Sequence, residues 1–175
     1  MYYGKIIYYD IANGPGIRTS LFVSGCRHHC KNCFNQDTWD FQYGEPFTKK
    51  EMNYILDSLT QTHVDGVTIL GGEPLEPENQ PIIAKLVKEI KDTFPYKTIW
   101  MYTGCIYEDL FQKNNPYQTP ALKTILKNID VLVDGPYVDQ LRNPKLQYRG
   151  SQNQRILNIP ESIKKKQAVE LIPLH

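Results

Sequence analysis

The sequence predicts an α/β protein built on a mostly parallel sheet. Short apolar segments that suit strands alternate with amphipathic segments that suit helices, which is the pattern of stacked βαβ units. Glycine-containing breaks follow four of the predicted strands, and in parallel sheets those ends meet at the edge where ligands bind. A cluster of cysteines also lies directly after the second predicted strand. The four breaks are Gly25, Gly71-Gly72, Gly104 and Gly135.

Length and charge restrict the class of protein. The chain has 175 residues and a formal net charge of +1, so we expect one domain over residues 1–160 and a C-terminal tail over 161–175. The only basic run, residues 164–166, suits a solvated face, so neither nucleic acid nor a membrane is an expected partner. The N-terminus lacks a signal peptide, and no apolar run approaches the roughly 20 residues that span a bilayer, so we expect a cytoplasmic protein.

Six strands follow from local composition. Residues 5–10 are rich in β-branched and aromatic side chains, and residues 18–24 contain a continuous apolar core that is typical of burial on both faces. Three further apolar runs each end at a glycine-containing turn, and a last strand is predicted before Pro160. The last four strands are predicted at residues 66–70, 98–102, 129–133 and 155–159.

The helices are predicted from capping signals and apolar spacing. Thr48 and Glu51 form a capping-box sequence before an apolar stripe, and Pro81 suits the first turn of the next helix. Residues 106–111 suit a short helix, and Pro120 begins another. The apolar stripes comprise Met52, Ile55, Leu56 and Leu59; Ile83, Leu86, Val87, Ile90 and Phe94; and Leu122, Ile125 and Leu126.

Three of the four cysteines, Cys26, Cys30 and Cys33, fall within eight residues. Three thiolates this close together indicate a metal site. A structural zinc needs a fourth ligand, but zinc ribbons usually supply a second Cys-x-x-Cys half, which this chain lacks. The spacing favours an iron–sulfur site, in which three thiolates leave one iron free for a small chelating molecule. The candidates for a fourth zinc ligand are Cys105, His28, His29 and His63.

A second motif, Gly71-Gly72-Glu73-Pro74, follows a buried predicted strand. Two glycines let the backbone approach a ligand closely, and a glutamate can accept a hydrogen bond from an ammonium group. Gly-Gly turns are common in loops, so the motif alone is a weak signal. Its position at the end of a parallel strand, downstream of the cysteine cluster, strengthens the prediction of a site.

Other polar residues have ordinary explanations. His28 and His29 are predicted as exposed loop residues rather than metal ligands, and Cys105 as a buried core thiol. Arg18 suits a solvated charge beside a turn as well as it suits a site. Asp134 suits a strand-end turn. Residues 149–155 are dense in planar hydrogen-bonding side chains, which suits a peptide backbone, a polar cofactor or an ordinary loop.

Taken together, Cys-x-x-x-Cys-x-x-Cys and the downstream Gly-Gly-Glu-Pro resemble the motifs of radical S-adenosylmethionine enzymes. Within that superfamily the chain resembles the glycyl-radical activases of anaerobic ribonucleoside-triphosphate reductase. The resemblance covers nearly the whole chain apart from the C-terminal tail. The matching segments are residues 13–18, 26–35, 38–39, 71–75, 102–104, 130–136 and 149–156.

The resemblance implies two cofactors. Cys26, Cys30 and Cys33 would ligate one [4Fe–4S] cluster per chain, and S-adenosylmethionine would chelate the remaining iron through its amino and carboxylate groups. Gly71, Gly72 and Glu73 would line the amino end of that molecule. Its adenosyl part would be contacted by Asn32, Cys33 and Phe34. The implied cofactor-binding residues are Asn32, Cys33, Phe34, Gly71, Gly72, Glu73 and Pro74.

The resemblance also implies a reaction and its partners. One electron passed through the cluster would cleave the sulfonium to methionine and a 5′-deoxyadenosyl radical. That radical would take a hydrogen from a glycine near the C-terminus of the anaerobic reductase. A flavodoxin or a ferredoxin-type protein would supply the electron.

The implied fold is an incomplete (β/α) barrel of the radical S-adenosylmethionine type, with about five or six mostly parallel strands. Its uncovered side would receive the glycine loop of the reductase. Many superfamily members place an aromatic residue immediately before the third cysteine, whereas this chain has Asn32 there and Phe34 after it. No additional cysteine-rich insert is present, which favours a single cluster.

Two other functions remain open at this level. The chain also fits another small radical S-adenosylmethionine enzyme, either a pyruvate formate-lyase activase or a deazaguanine-forming enzyme. A zinc-stabilised binding module would need no S-adenosylmethionine. Residues 149–155 and the Asp134-Gly135-Pro136 turn favour the reductase activase.

Overall fold

Seven strands and four α-helices form in the part of the chain that the computed structural model describes, residues 1–171. Short 3₁₀ helices lie at Gln36–Trp39, Tyr107–Phe111 and Asp139–Leu141. The strands are β1 (Tyr2–Asp10), β2 (Arg18–Val23), β3 (Glu45–Pro46), β4 (Gly66–Gly71), β5 (Thr98–Tyr102), β6 (Val131–Asp134) and β7 (Arg155–Asn158). The helices are α1 (Lys49–Leu59), α2 (Gln80–Thr93), α3 (Pro120–Asn128) and α4 (Ile159–Lys165).

All seven strands belong to one open sheet in the order β3-β1-β2-β4-β5-β6-β7. The four central strands, β2, β4, β5 and β6, are parallel neighbours, and the pairs β1–β2, β1–β3 and β6–β7 are antiparallel. The predicted α/β class and parallel centre are confirmed. The strand count of five or six is too low because the two-residue β3 carries no sequence signal of its own.

The helices begin where their capping residues predict. Thr48 and Glu51 form the complete capping box of α1, and a proline lies in the first turn of α2. The Thr119 hydroxyl accepts a hydrogen bond at the start of α3. The segment predicted as a short helix at 106–111 is a 3₁₀ helix.

The main core lies between one face of the sheet and helices α1, α2 and α3. Leu21, Ile69 and Ile99 point into it from the parallel strands and are fully buried. The predicted apolar stripes of the helices are buried there, except that Leu56 and Phe94 are only partly buried. A smaller apolar cluster of Trp100, Val131 and Val133 forms separately from this core.

Arg18 is buried rather than solvated. Its side chain is 1% exposed, and its guanidinium donates to Thr68 Oγ1 at 2.7 Å, to Val67 O at 2.8 Å and to Thr98 O at 2.9 Å. It also donates to Pro15 O and Thr98 Oγ1. Arg18 therefore ties the N-terminal ends of β2, β4 and β5 together.

The chain after β7 returns to the sheet. The Asn158 N–H donates to Val169 O and the Leu171 N–H donates to Ile156 O, both at 2.8 Å. The last part of the expected tail, residues 172–175, lies outside the described residues. Within residues 1–171, no helix combines the length and apolar character required to cross a bilayer.

Candidate functional site

The candidate site is an open cavity at the carboxyl ends of the parallel strands. The loops after β2, β4, β5 and β6 all contribute to its wall, which confirms that the four predicted breaks meet at one edge. The cysteine loop, residues 26–33, forms one side. The lining residues are Cys26, His28, Cys30, Cys33, Phe34, Asn35, Trp39, Leu70, Gly71, Gly72, Glu73, Tyr102, Thr103, Gly104, Gly135, Tyr137 and Gln154.

The three clustered cysteines all face this cavity as free thiols. Cys26 is buried directly after Gly25, whose φ of 95° turns the chain out of β2, and Cys30 and Cys33 are half-buried. A hydrogen bond of 3.1 Å from the Cys33 N–H to Cys30 O closes the loop. Positive φ values at His29 and Asn32 complete its curvature. The fourth cysteine, Cys105, is buried as predicted.

The donor set suits an iron–sulfur cluster better than a zinc ion. The sulfur atoms of Cys26, Cys30 and Cys33 do not all lie within 4.8 Å of one another. Zinc–sulfur bonds of about 2.3 Å would bring tetrahedral sulfurs to about 3.8 Å. The Asn35 N–H lies 3.4 Å from the Cys33 sulfur, and backbone N–H groups of residues 28 and 29 point at Cys26. Such N–H···S bonds are one of the means by which proteins tune the reduction potential of iron–sulfur centres.

Burial keeps the thiols of Cys26 and Cys30 protonated until a metal binds. Burial raises the pKa of the Cys26 thiol to about 12 and also raises the pKa of Cys30. Thiols must lose their protons to become ligands, so loading this site with metal releases protons. A bound cation provides the charge that the deprotonated sulfurs require.

The two glycines are needed because backbone segments approach each other here. A Cβ at Gly71 would lie 2.7 Å from Val23 O, and one at Gly72 would lie 2.6 Å from Gly25 O and 2.8 Å from Thr38 O. Both residues line the cavity. Their glycine identity therefore lets the end of β4 contact the start of the cysteine loop.

Glu73 lies at the centre of the site and is 1% exposed. Its Oε1 accepts hydrogen bonds from the Leu75 N–H and the Thr103 hydroxyl, both at 2.8 Å. Its Oε2 accepts from the Gly104 N–H at 2.8 Å and lies 3.0 Å from His28 Nε2. A carboxylate has about four acceptor positions, and all four are used within the protein. Glu73 thus joins the loops after β4 and β5 to the cysteine loop.

His28 is not the exposed loop residue that the sequence predicts. Its side chain is 20% exposed, its ring stacks on Tyr117 with centroids 5.6 Å apart, and its Nε2 lies 3.7 Å from Cys105 Sγ. Burial lowers the pKa of His28, but the hydrogen bond and charge of Glu73 and the charge of Glu76 raise it by more. His29 is exposed as predicted and stacks on Trp39.

The remaining predicted cofactor-binding residues, Phe34, Asn32 and Pro74, do not all line the cysteine cavity. Phe34 is 81% exposed and borders both the cysteine cavity and a second, neighbouring cavity, whose lining includes Asn32, Tyr137, Asp139 and Arg142. Asn32 does not line the cysteine cavity but faces the second one, where its amide donates to Asp139 at 2.7 Å. Pro74 is buried outside the cavity lining.

Several cavity residues were not predicted as part of the site. Thr103 and Gly104 lie at a strand end that the sequence identified, so position alone would have suggested them. Gln154 lies within the polar 149–155 segment, and its Oε1 accepts from the Gly150 and Ser151 N–H groups. Asp134, by contrast, is structural, since both its oxygens accept from Arg155.

Comparison with known proteins adds an independent observation. Residues 12–157 match the family model described as a 4Fe-4S single cluster domain. The anaerobic ribonucleoside-triphosphate reductase-activating protein of Escherichia coli K12 is 43% identical over 147 residues, which cover 83% of this chain and 90% of that protein. The protein of the same name from Enterobacteria phage T4 is 40% identical over 156 residues, 89% and 93% of the two chains. That from Vibrio cholerae is 38% identical over 149 residues, 84% and 91% of the two chains.

The family-model match over residues 12–157 includes the cysteine loop and the strand ends that form the cavity. The chain therefore belongs to the family of anaerobic ribonucleoside-triphosphate reductase-activating proteins.

Proposed function

We propose that this protein activates an anaerobic ribonucleoside-triphosphate reductase by forming a glycyl radical on it. The observation that carries the proposal is the cavity itself: three free thiols and a double-glycine turn face one another at the carboxyl ends of parallel strands. The relatives in the family to which the chain belongs are named as activating proteins of anaerobic ribonucleoside-triphosphate reductase.

Cys26, Cys30 and Cys33 would hold a single [4Fe–4S] cluster, and the nearby N–H groups would stabilise their thiolates. When bound, the cluster would deliver one electron to S-adenosylmethionine and so yield a 5′-deoxyadenosyl radical that abstracts hydrogen from a glycine of the reductase. A flavodoxin or ferredoxin-type protein would supply that electron. The half-buried position of Cys30 and Cys33 leaves the cavity open to a small cosubstrate.

The cavity wall suggests how S-adenosylmethionine would be oriented. Gly71, Gly72 and Glu73 would face its amino end, with Pro74 behind them. Because the Glu73 oxygens already accept four hydrogen bonds, an ammonium group would share Oε2 with His28 or take its place. The exposed ring of Phe34 offers an apolar face for the adenosyl part, beside Cys33. Asn32 would contribute from the neighbouring cavity.

The open sheet suits a protein substrate. We interpret its four parallel strands as an incomplete (β/α) barrel of the radical S-adenosylmethionine type, formed by residues 1–160 and followed by a tail over 161–175. The open cavity lies at the carboxyl ends of those parallel strands, so a glycine on a separate protein would have a path to it.

Anaerobic reconstitution tests the proposal. We expect a coloured protein with about four irons per chain that cleaves S-adenosylmethionine under dithionite and gives the candidate reductase a glycyl doublet in electron paramagnetic resonance. Substituting a pyruvate formate-lyase for the reductase provides the matched control and should give no doublet. A colourless chain that binds one zinc ion would contradict the proposal.

A further inference from the structure

The two residues that follow Cys26 both contact buried acids on the loop after β4. Arg27 contacts Glu76, and His28 contacts Glu73. Each of these glutamates is 1% exposed. Because the contacts originate between Cys26 and Cys30, they act on the segment that spaces two of the three thiols.

Glu76 contacts both the backbone and the side chain of Arg27. Its Oε1 accepts from the Arg27 N–H at 2.8 Å, and its Oε2 accepts from the Arg27 guanidinium. The Tyr117 hydroxyl donates to Oε1 at 3.4 Å. A buried carboxylate is costly unless it is paired and hydrogen-bonded, so the loop conformation that supplies these donors is stabilised over others.

Neighbouring contacts fix the entry to the same loop. The Asn79 amide donates to Ser24 O at 2.9 Å and to Glu73 O at 3.0 Å, and the Glu73 N–H donates to Gly25 O at 2.8 Å. The loop after β4 therefore contacts the chain on both sides of Cys26.

The cysteine loop needs such support because its own conformation is unfavourable. His29 and Asn32 have φ values of 46° and 58°, in the left-handed region that residues other than glycine adopt infrequently. Without external contacts the loop would relax, and the three thiols would no longer converge.

We propose that Glu76 is a positioning residue that, through Arg27, holds the cysteine loop in the conformation that binds the iron–sulfur cluster. The inference rests on the proposed function only in taking the cluster as the bound group. Glu76 lies outside the residues that line the cavity, so its effect is on retention of the cluster rather than on contact with it.

Glu78 provides a matched control. Its carboxylate binds the same guanidinium at 2.5 and 3.0 Å, but its side chain is 50% exposed and lies on the solvent side of Arg27. Glu76→Gln and Glu78→Gln thus each remove one of the two carboxylates that bind the Arg27 guanidinium. They differ in burial and in contact with the loop backbone.

The experiment measures iron release from the reconstituted protein into a ferrous chelator, together with thermal unfolding of the apo-protein. We expect Glu76→Gln to release iron about tenfold faster, since a buried charge-assisted contact is lost, and Glu78→Gln to stay within about twofold of the wild type. Equal rates for Glu76→Gln and wild type, or equal acceleration in both variants, would overturn the inference.

Arg27→Met keeps the test decisive if Glu76→Gln does not fold. The Arg27 side chain is 54% exposed, so its replacement should leave the apo-protein's unfolding midpoint nearly unchanged while iron release accelerates. If Glu76→Gln does fold, the double variant Arg27→Met/Glu76→Gln should release iron no faster than the faster single variant, because both changes remove the same contact between Arg27 and Glu76. Iron release from Arg27→Met at the wild-type rate would refute the positioning role. A wild-type protein that binds no iron would refute the proposed function as well.

Discussion

At the scale of single residues, the most informative feature is the different environment of the four cysteines. Cys26, Cys30 and Cys33 face the cavity, whereas Cys105 is buried beside His28, with its sulfur 3.7 Å from Nε2. Sequence spacing separates them in the same way, because three lie within one loop and the fourth is isolated.

Replacing each cysteine by alanine tests this assignment. Cys26→Ala, Cys30→Ala and Cys33→Ala should each abolish cleavage of S-adenosylmethionine, because two thiolates hold the cluster poorly. Cys105→Ala should bind iron and cleave S-adenosylmethionine nearly as the wild type does. Iron content and 5′-deoxyadenosine formation are the measurements. Loss of cleavage in Cys105→Ala at normal iron content would assign that thiol a role in the reaction.

Gly72 allows a prediction about steric overlap with neighbouring backbone rather than about strain from a positive φ. In Gly72→Ala the new Cβ would meet two backbone oxygens at 2.6 and 2.8 Å, so we expect the free energy of unfolding to fall by about 3 kcal/mol. Gly135→Ala is the control, because φ is 97° there but the nearest atom is 3.7 Å away. It should cost only about 1 kcal/mol. Urea unfolding of both apo-proteins makes the comparison, and equal costs would count against the close approach.

At the scale of elements, the helices follow local sequence closely. The capping box of α1 forms as the Thr48 and Glu51 positions predict, with the Thr48 N–H donating to Glu51 at 2.8 Å. Local signals succeed here because the partners are three residues apart and need no tertiary structure to meet. The two-residue β3 shows the opposite case, since only its pairing with β1 makes it a strand.

The capping box also predicts acid sensitivity. The hydrogen bond from Thr48 holds the pKa of Glu51 below its usual value. A lowered folded-state pKa adds stability above the unfolded-state pKa of about 4.5, and that stability is lost as the pH falls through the folded-state value. Glu51→Gln should therefore lose less stability than the wild type between about pH 5 and pH 3. Thermal unfolding across this range measures it; identical acid slopes would contradict the capping contribution.

At the scale of the whole molecule, Arg18 links three parallel strands. Its five hydrogen bonds reach across β2, β4 and β5, and three of them are accepted by backbone carbonyls, Pro15 O, Val67 O and Thr98 O. Burial lowers its pKa to about 10, which still leaves the guanidinium charged at neutral pH. The charge is accommodated because every donor has an acceptor.

Arg18→Lys should lower the free energy of unfolding by about 3 kcal/mol, because a shorter side chain with three donors leaves buried acceptors unpaired. The exposed Arg142 supplies the control, and Arg142→Lys should change stability by less than about 0.5 kcal/mol. Chemical denaturation of the two apo-proteins measures the difference. A loss of less than 1 kcal/mol in Arg18→Lys would show that the buried network is replaceable.

The sequence by itself determined the parallel α/β centre, the four strand-end breaks and the clustering of three thiols. Each of these depends on residues that are close in the chain or on a pattern repeated along it. Only the tertiary structure decided that Arg18 and His28 are buried and that Glu73 and Glu76 bind the cysteine loop. The contacts of Arg18 with β4 and β5, and those of Glu73 and Glu76 with the cysteine loop, join residues that are 45 to 80 positions apart in the sequence. Whether a polar side chain is solvated or buried depends on which distant segments pack around it, and local sequence carries no signal for that.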